Sequence, residues 1–113
     1  QYKHAVEEQA KIFRELDQFF VEEEIDILLD LATGGEALLG LDSVDRPDDC
    51  LIWSFCGTPV INLPIFWGPN GLPFGAQIIS RRYSDYLLLS LAQFLSDIGL
   101  APSIVNYPLK IEI

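Results

Sequence analysis

The residues that could act as catalytic nucleophiles are scattered along the chain. Nucleophilic catalysis by a serine requires a base within hydrogen-bond reach and donors for the developing oxyanion. No serine lies in a Gly-x-Ser-x-Gly turn, and the lysines lie near the termini or on the polar side of a predicted helix. We therefore predict no catalytic residue among these side chains, which are Ser43, Ser54, Ser80, Ser84, Ser90, Ser96, Ser103, Lys3, Lys11 and Lys110.

Residues that could bind a metal or a phosphate are equally sparse. His4 is the only histidine and has no cysteine beside it, which favours a solvated residue at a helix start. Gly34-Gly35 is followed by Glu36 and by no Lys-Ser/Thr pair, so no phosphate-binding loop is predicted. A loop with four aspartates could hold a hard cation, but it lacks EF-hand spacing, so we interpret it as solvated. We predict no metal and no cofactor; the four aspartates are Asp42, Asp45, Asp48 and Asp49.

Composition excludes several classes of protein. The 113 residues include 17 acidic and 7 basic side chains, a net charge of -10, which disfavours binding to a nucleic-acid backbone. No apolar run approaches the roughly twenty residues that cross a bilayer, and no export signal opens the chain, so we predict a cytoplasmic protein without a membrane span. Cys50 and Cys56 are interpreted as two free thiols, because a disulfide would require an oxidising compartment.

Half of the residues are hydrophobic, which is difficult to bury completely in a domain of this size. We therefore expect an apolar face that contacts a protein partner or a second copy of the chain. No composition shift marks an internal boundary, so residues 1–113 are predicted to form one domain or fragment.

Two helices should pack against the predicted sheet. Apolar residues recur every three or four positions from His4 to Phe20, which predicts an amphipathic helix over about 4–20. A second helix over about 84–98 follows from a Leu-rich segment between Ser84, a candidate N-cap, and Gly99, a candidate C-cap. Its apolar residues cover most of its circumference, so we expect burial on more than one side.

The strands are predicted from apolar segments and turn residues. Residues 25–29 form a short apolar segment interpreted as a buried strand, and residues 30–50 are rich in turn formers and are interpreted as a long loop. Alternating residues on both sides of Gly68-Pro-Asn-Gly71 predict a hairpin over about 58–81, with Pro64 and Pro73 confined to a strand end, an edge or a bulge. The tail at 110–113 could add an edge strand. The fold class is therefore α/β.

The residues between 52 and 95 resemble the C-terminal part of amidase-signature enzymes, which are serine-dependent amide hydrolases. The resemblance lies in a Trp placed four residues before Gly-x-Pro, in an apolar strand ending in Pro, in Gly-Leu-Pro-x-Gly-x-Gln, and in an Asp before a Leu-rich helix. These features are Trp53, Gly57-Thr58-Pro59, Val60 to Pro64, Gly71 to Gln77, and Asp85 with Leu87-Leu88. Asp30-Leu31 departs from the Thr-Pro pair of that pattern. The Gln77 amide can accept and donate together, so it could tie a loop to the strand if it points inward.

The resemblance implies the C-terminal portion of the amidase-signature fold, in which helices pack on a mixed sheet. In that family two serines and a lysine perform catalysis, and the serines lie in a Gly/Ser-rich stretch near the middle of the full-length chain. This chain has no such stretch, so it is expected to be a C-terminal fragment of an amide hydrolase and inactive alone. The parent reaction would hydrolyse a carboxylic amide to the acid and ammonia or an amine, and the fragment's partner would be the remainder of the fold.

Trp53 and Phe55 are the candidate substrate-binding residues. The resemblance implies that the stretch before Gly57 contributes to the wall of the pocket for a small-molecule amide. The alternative is that both aromatic residues serve packing alone.

Two other interpretations of the whole chain stay open. It could be a non-catalytic binding or scaffold module derived from an amidase, or an unrelated α/β domain in which Gly71 to Gln77 would lie outside a hairpin.

Overall fold

The computed structural model describes residues 1–42 and 49–101 of the chain. Within these ranges it contains three helices and a three-stranded sheet, in agreement with the predicted α/β class. Ser43, Asp45, Asp48, Ser103 and the predicted strand at 110–113 lie outside the described residues. In chain order, the elements are α1 (Tyr2–Glu22), β1 (Leu28–Leu31), α2 (Leu51–Cys56), β2 (Val60–Trp67), β3 (Pro73–Ile79) and α3 (Asp85–Asp97).

The predicted hairpin is present as β2 and β3, which pair antiparallel. Pro64 lies in the register shift between Leu63 and Phe66, and Pro73 begins β3, so each proline sits where its missing amide donor costs no ladder bond. The strand order is β1-β3-β2, and both pairings are antiparallel. Among the described strands no parallel pair is present, so the mixed sheet that we predicted is not found there.

Strand β1 differs from its prediction in position and burial. The strand spans Leu28–Leu31, three residues later than the predicted start, and it is an edge strand of the described sheet. Leu29 is 70% exposed and Leu31 49% exposed, because α3 packs over β2 at the opposite edge. The predicted burial of this strand is therefore wrong within the part of the chain that is described.

Both predicted long helices are present, but α3 packs over β2 whereas the described element that α1 contacts most is α2, so the predicted packing on the sheet holds for α3 and not for α1. Helix α1 extends the predicted 4–20 segment by two residues at each end. Helix α3 ends in a Schellman arrangement, in which Gly99 has φ +79° and the Leu100 N–H donates to the Leu95 carbonyl over 3.0 Å. Ser84 occupies the predicted N-cap position, but its side chain makes no capping hydrogen bond.

The burial expected for α3 is wrong in extent. Leu88 is the one fully buried residue of this helix, and it packs in a core with Leu63, Ile78 and Ala101. The flank formed by Leu87, Phe94 and Ile98 is exposed. The apolar circumference of α3 thus exceeds what the described sheet can cover.

Helix α2 is a feature that the sequence pattern did not predict. Its six residues are too few to show a helical period, and the helix ends at Gly57, whose φ of +65° places it in the left-handed region. The Arg82 guanidinium packs against Gly57 and donates to the Cys56 carbonyl over 2.6 Å. Both cysteines are free, as predicted, and burial raises the pKa of the Cys56 thiol.

Helix α1 is joined to the segment that follows β3 by two arginine contacts. Arg81 donates from Nε and a terminal nitrogen to the two carboxylate oxygens of Asp17, over 2.8 and 2.9 Å. These hydrogen bonds lower the pKa of Asp17 below its usual range. Arg82 stacks over the Phe13 ring, with 3.6 Å between the guanidinium carbon and the ring centroid.

Candidate functional site

Gln77 occupies the centre of a polar cluster in the sheet. Its side chain is 1% exposed, and its Nε2 donates to the Leu31 carbonyl over 2.9 Å and to Asp30 Oδ2 over 3.2 Å. The same nitrogen lies 3.3 Å from the Asp49 carbonyl, at the end of the long loop. A glutamine in this pattern was expected to tie a loop to a strand if it pointed inward, and the structure shows that arrangement.

Asp30 connects this glutamine to helix α2. Its Oδ2 accepts a second hydrogen bond from Trp53 Nε1 over 3.2 Å, and its Oδ1 accepts from the Leu31 amide over 2.8 Å. The carboxylate therefore joins β1, β3 and α2 at one point. In the sequence, Asp30 stands out only as a departure from the Thr-Pro pair, because it follows the segment predicted as a strand and falls in the predicted loop.

The two aromatic candidates of α2 have different surroundings. Trp53 is half-buried, and its carbonyl accepts from the Thr58 amide and hydroxyl over 3.1 and 3.2 Å. Phe55 is 42% exposed, and its carbonyl accepts from Gln9 of α1 over 2.5 Å. Residues two apart in a helix point in directions about 200° apart, so the two rings do not form one continuous wall.

An open groove of about 440 Å³ lies beside the polar cluster. Gly75 lies on its floor two residues before Gln77 on β3, so both face the same side of the sheet. The Asn62 amide lies directly over Gly75, at a place where a Cβ atom would collide with it. Neither Trp53 nor Phe55 lines this groove, whose walls include Thr33, Leu38, Pro64 and Phe74.

A buried glutamate lines the groove and binds the hairpin turn. Glu36 accepts hydrogen bonds from the Asn70 amide over 3.0 Å, from the Leu72 amide over 3.1 Å and from the Asn70 side chain. Burial alone would raise the pKa of Glu36, but the hydrogen bonds outweigh it and lower the pKa. The sequence held no signal for this contact, because the partners are more than thirty positions apart and Glu36 lies in a turn-rich segment.

The buried serine and the two described lysines pair with other groups of the chain. Ser80, the one fully buried serine of the described residues, donates to the Arg81 and Ser84 carbonyls over 3.3 and 3.2 Å. Lys3 and Lys11 lie in surface ion pairs with Glu7 and Glu15. The described segments contain no cluster of three or more His, Cys, Asp or Glu residues that could hold a metal.

No helix within residues 1–42 and 49–101 is both long and apolar enough to span a membrane.

Two curated proteins are similar to this chain, and each is the A subunit of a glutamyl-tRNA(Gln) amidotransferase. The chain is 32% identical over 111 residues to the mitochondrial protein of Drosophila pseudoobscura pseudoobscura, with 83% of this chain and 22% of the relative covered. It is 28% identical over 98 residues to the protein of Brevibacillus brevis, with 80% and 20% covered. The chain thus spans about a fifth of the length of these relatives and matches their C-terminal part. No family model and no solved structure matches the chain.

Proposed function

The chain resembles the C-terminal part of an amidase-signature enzyme, and from that premise we propose that it forms the C-terminal piece of an amide hydrolase. The parent enzyme hydrolyses a carboxylic amide to the acid and ammonia or an amine. The serines and the lysine that perform this reaction lie outside these 113 residues, so the chain alone is inactive. It contributes a sheet segment, one covering helix and part of a pocket wall.

One observation carries this proposal: the residues that resemble the amidase-signature motif are joined to one another by contacts in the structure. Trp53, Gly57 and Gln77 are separated in sequence, yet Gln77 and Trp53 donate to the same Asp30 oxygen, and Gly57 ends the helix that carries Trp53. Residues fixed in this manner suit a pocket wall, because a wall must hold its side chains in one orientation.

The distribution of apolar side chains supports an incomplete fold. Among the described residues, more large apolar side chains are exposed than buried, and the fully buried ones form only a small core. A complete domain of this length covers most of its large apolar residues, and large exposed apolar patches mark contacts with other protein segments. The uncovered surface is available to the remainder of the amidase fold.

Two apolar surfaces are suited to that contact. On β1, Leu29 and Leu31 are exposed on the same side of the sheet as the buried Ile78. On α3, an apolar flank comprises Leu87, Phe94 and Ile98. We propose that residues outside this chain cover both surfaces in the parent enzyme.

Trp53 and Phe55 remain the proposed substrate-contacting residues of this segment. The Trp53 indole donates to Asp30 and its backbone carbonyl accepts from Thr58, whereas Phe55 presents an exposed ring on another side of α2. Replacing either aromatic residue by alanine in the complete gene product should raise KM for the amide with a smaller effect on kcat. An unchanged KM in both variants would assign the two rings to packing.

The second candidate function is a non-catalytic binding or scaffold module derived from an amidase, located in the cytoplasm and able to self-associate. The same apolar surfaces favour it, because they would suit a partner protein or a second copy equally well. The two candidates differ in whether the preceding region of the gene product, when supplied, generates activity.

Reconstitution from two polypeptides tests the proposal. The region that precedes Gln1 and the 113-residue chain are produced separately, mixed, and assayed for ammonia release from simple amides. We expect release only from the mixture and from the undivided protein. A preceding region that hydrolyses amides at full rate without this chain would contradict the proposal, as would an undivided protein without amidase activity.

A further inference from the structure

Asp30 is the polar residue of β1, and donors engage both of its carboxylate oxygens. Oδ2 accepts hydrogen bonds from Trp53 Nε1 and Gln77 Nε2, each over 3.2 Å, and Oδ1 accepts one from the Leu31 amide over 2.8 Å. A carboxylate is acceptor-only and can satisfy all three donors. An asparagine of the same size has one acceptor oxygen and would present an N–H group to one of them.

Trp53 is held at two points of the residue. Its indole N–H donates to Asp30, and its carbonyl accepts from the amide and hydroxyl of Thr58. The 3.2 Å distance lies at the long end of the hydrogen-bond range, but a charged acceptor makes such a bond stronger than one between neutral groups. The contact with Asp30 therefore selects one orientation of the indole ring relative to the sheet.

Gln77 helps to hold Asp30 in position beside Trp53. The glutamine is buried, and its Nε2 is also bound by the Leu31 and Asp49 carbonyls, so it fixes the strand that carries Asp30 and the end of the loop that leads into α2. Asp30 is thereby placed against Trp53 from a rigid strand.

We propose that Asp30 is a positioning residue that orients the Trp53 indole in the wall of the amide pocket. The inference rests on the proposed function, since Trp53 is taken to contact the substrate. Asp30 itself acts through Trp53 and does not touch the reacting atoms.

The test uses the complete gene product and compares Asp30→Ala with the exposed control Asp26→Asn. Loss of a hydrogen bond to a charged group should raise KM for the amide at least about tenfold in Asp30→Ala, with kcat within about threefold. Asp30→Asn, which retains an oxygen for the indole, should have a KM within about threefold of the value for the unsubstituted protein. Asp26→Asn should leave both constants unchanged.

A double-mutant cycle separates positioning from general stabilisation. In a Trp53→Phe background, Asp30→Ala should raise KM less than about threefold, because the group that Asp30 orients is gone. The tryptophan emission spectrum should change in Asp30→Ala and not in the Trp53→Phe background. If Asp30→Ala does not fold, Asp30→Ser takes its place, since a serine hydroxyl is too short to reach the indole.

Two results would overturn the inference: KM effects of Asp30→Ala and Trp53→Phe that multiply independently, or an emission spectrum that Asp30→Ala leaves unchanged. These results are distinct from failure of the proposed function. An undivided protein that hydrolyses no amide contradicts the proposed function, whereas the emission comparison tests the Asp30–Trp53 contact without any turnover.

Discussion

Single polar residues connect segments of this chain that are distant in sequence. Asp30 and Gln77 join β1, β3 and the end of the long loop, and Glu36 joins the segment after β1 to the hairpin turn. Each is placed so that a side-chain acceptor or donor meets backbone groups that no strand partner satisfies. These contacts fix the loops, which carry no regular hydrogen-bond ladder of their own.

Glu36→Gln should loosen the hairpin turn. A glutamine side chain accepts hydrogen bonds at one oxygen only. One of the two carboxylate oxygens to which the Asn70 and Leu72 amides donate is therefore lost. Hydrogen exchange of residues 68–72, measured by mass spectrometry of peptides, should accelerate about tenfold at neutral pH. The exposed control Glu23→Gln should leave this exchange unchanged, and equal rates in both variants would show that Glu36 does not restrain the turn.

The same contact should make the turn sensitive to acid. The pKa of Glu36 is lowered in the folded chain, so its stabilisation is complete above the usual glutamate range near pH 4.3 and is lost as the pH falls through the lower folded value. Relative to intrinsic exchange rates, protection of residues 68–72 should therefore fall as the pH is lowered below about 4. Glu36→Gln should show little of this dependence; an equal dependence in both proteins would contradict the assignment.

At the scale of elements, the hairpin depends on the space above Gly75. A Cβ atom at this position would collide with the Asn62 side chain on β2. Gly75→Ala should therefore destabilise the protein by about 1–2 kcal/mol, and Asn62→Ala in the same protein should recover most of that loss. Denaturant unfolding of the two single variants and the double variant measures the coupling. Additive effects would show that the two side chains do not compete for this space.

Local pattern was sufficient for the elements that have a period or a turn signature. Helices α1 and α3 follow from apolar residues at helical spacing, and the hairpin follows from alternation around Gly68 to Gly71. Helix α2 did not follow, because six residues contain too little of a helical repeat. The burial of β1 and α3 was overestimated, since sequence pattern records which side chains are apolar and not which surfaces are covered.

The candidate site was predictable only in part. Gln77 was recognised as a residue that could tie a loop to a strand, and its buried position agrees with that expectation. Its partner Asp30 and the Glu36 contact depend on which strands become neighbours, and β1 pairs with β3 across more than forty residues of chain. A pattern within one segment carries no information on such pairing.

At the scale of the whole molecule, apolar residues remain on surfaces that the described elements do not cover. Helix α3 offers Leu87, Phe94 and Ile98 on one flank, and β1 offers Leu29 and Leu31. Apolar surface of this kind is typical of a contact with another protein segment. In the function proposed above, that contact is with the remainder of the amidase fold.

Phe94→Glu should weaken association between the chain and the preceding region of the gene product. Burying a carboxylate without a partner costs several kcal/mol, so the dissociation constant should rise about a hundredfold or more. Gln93→Glu adds the same charge at an exposed position about 100° further around α3 and should leave association nearly unchanged. Titration of the two polypeptides by calorimetry measures both variants. Equal affinities would place the α3 flank outside the contact.

The most direct test of the proposed function is the rate of ammonia release from amides by the purified 113-residue chain. We expect no release above the buffer rate, because in the proposed function the chain supplies a pocket wall and no nucleophile with its base. Hydrolysis by the isolated chain that disappears when one of its own serines, such as Ser80, is replaced by alanine would contradict the proposal.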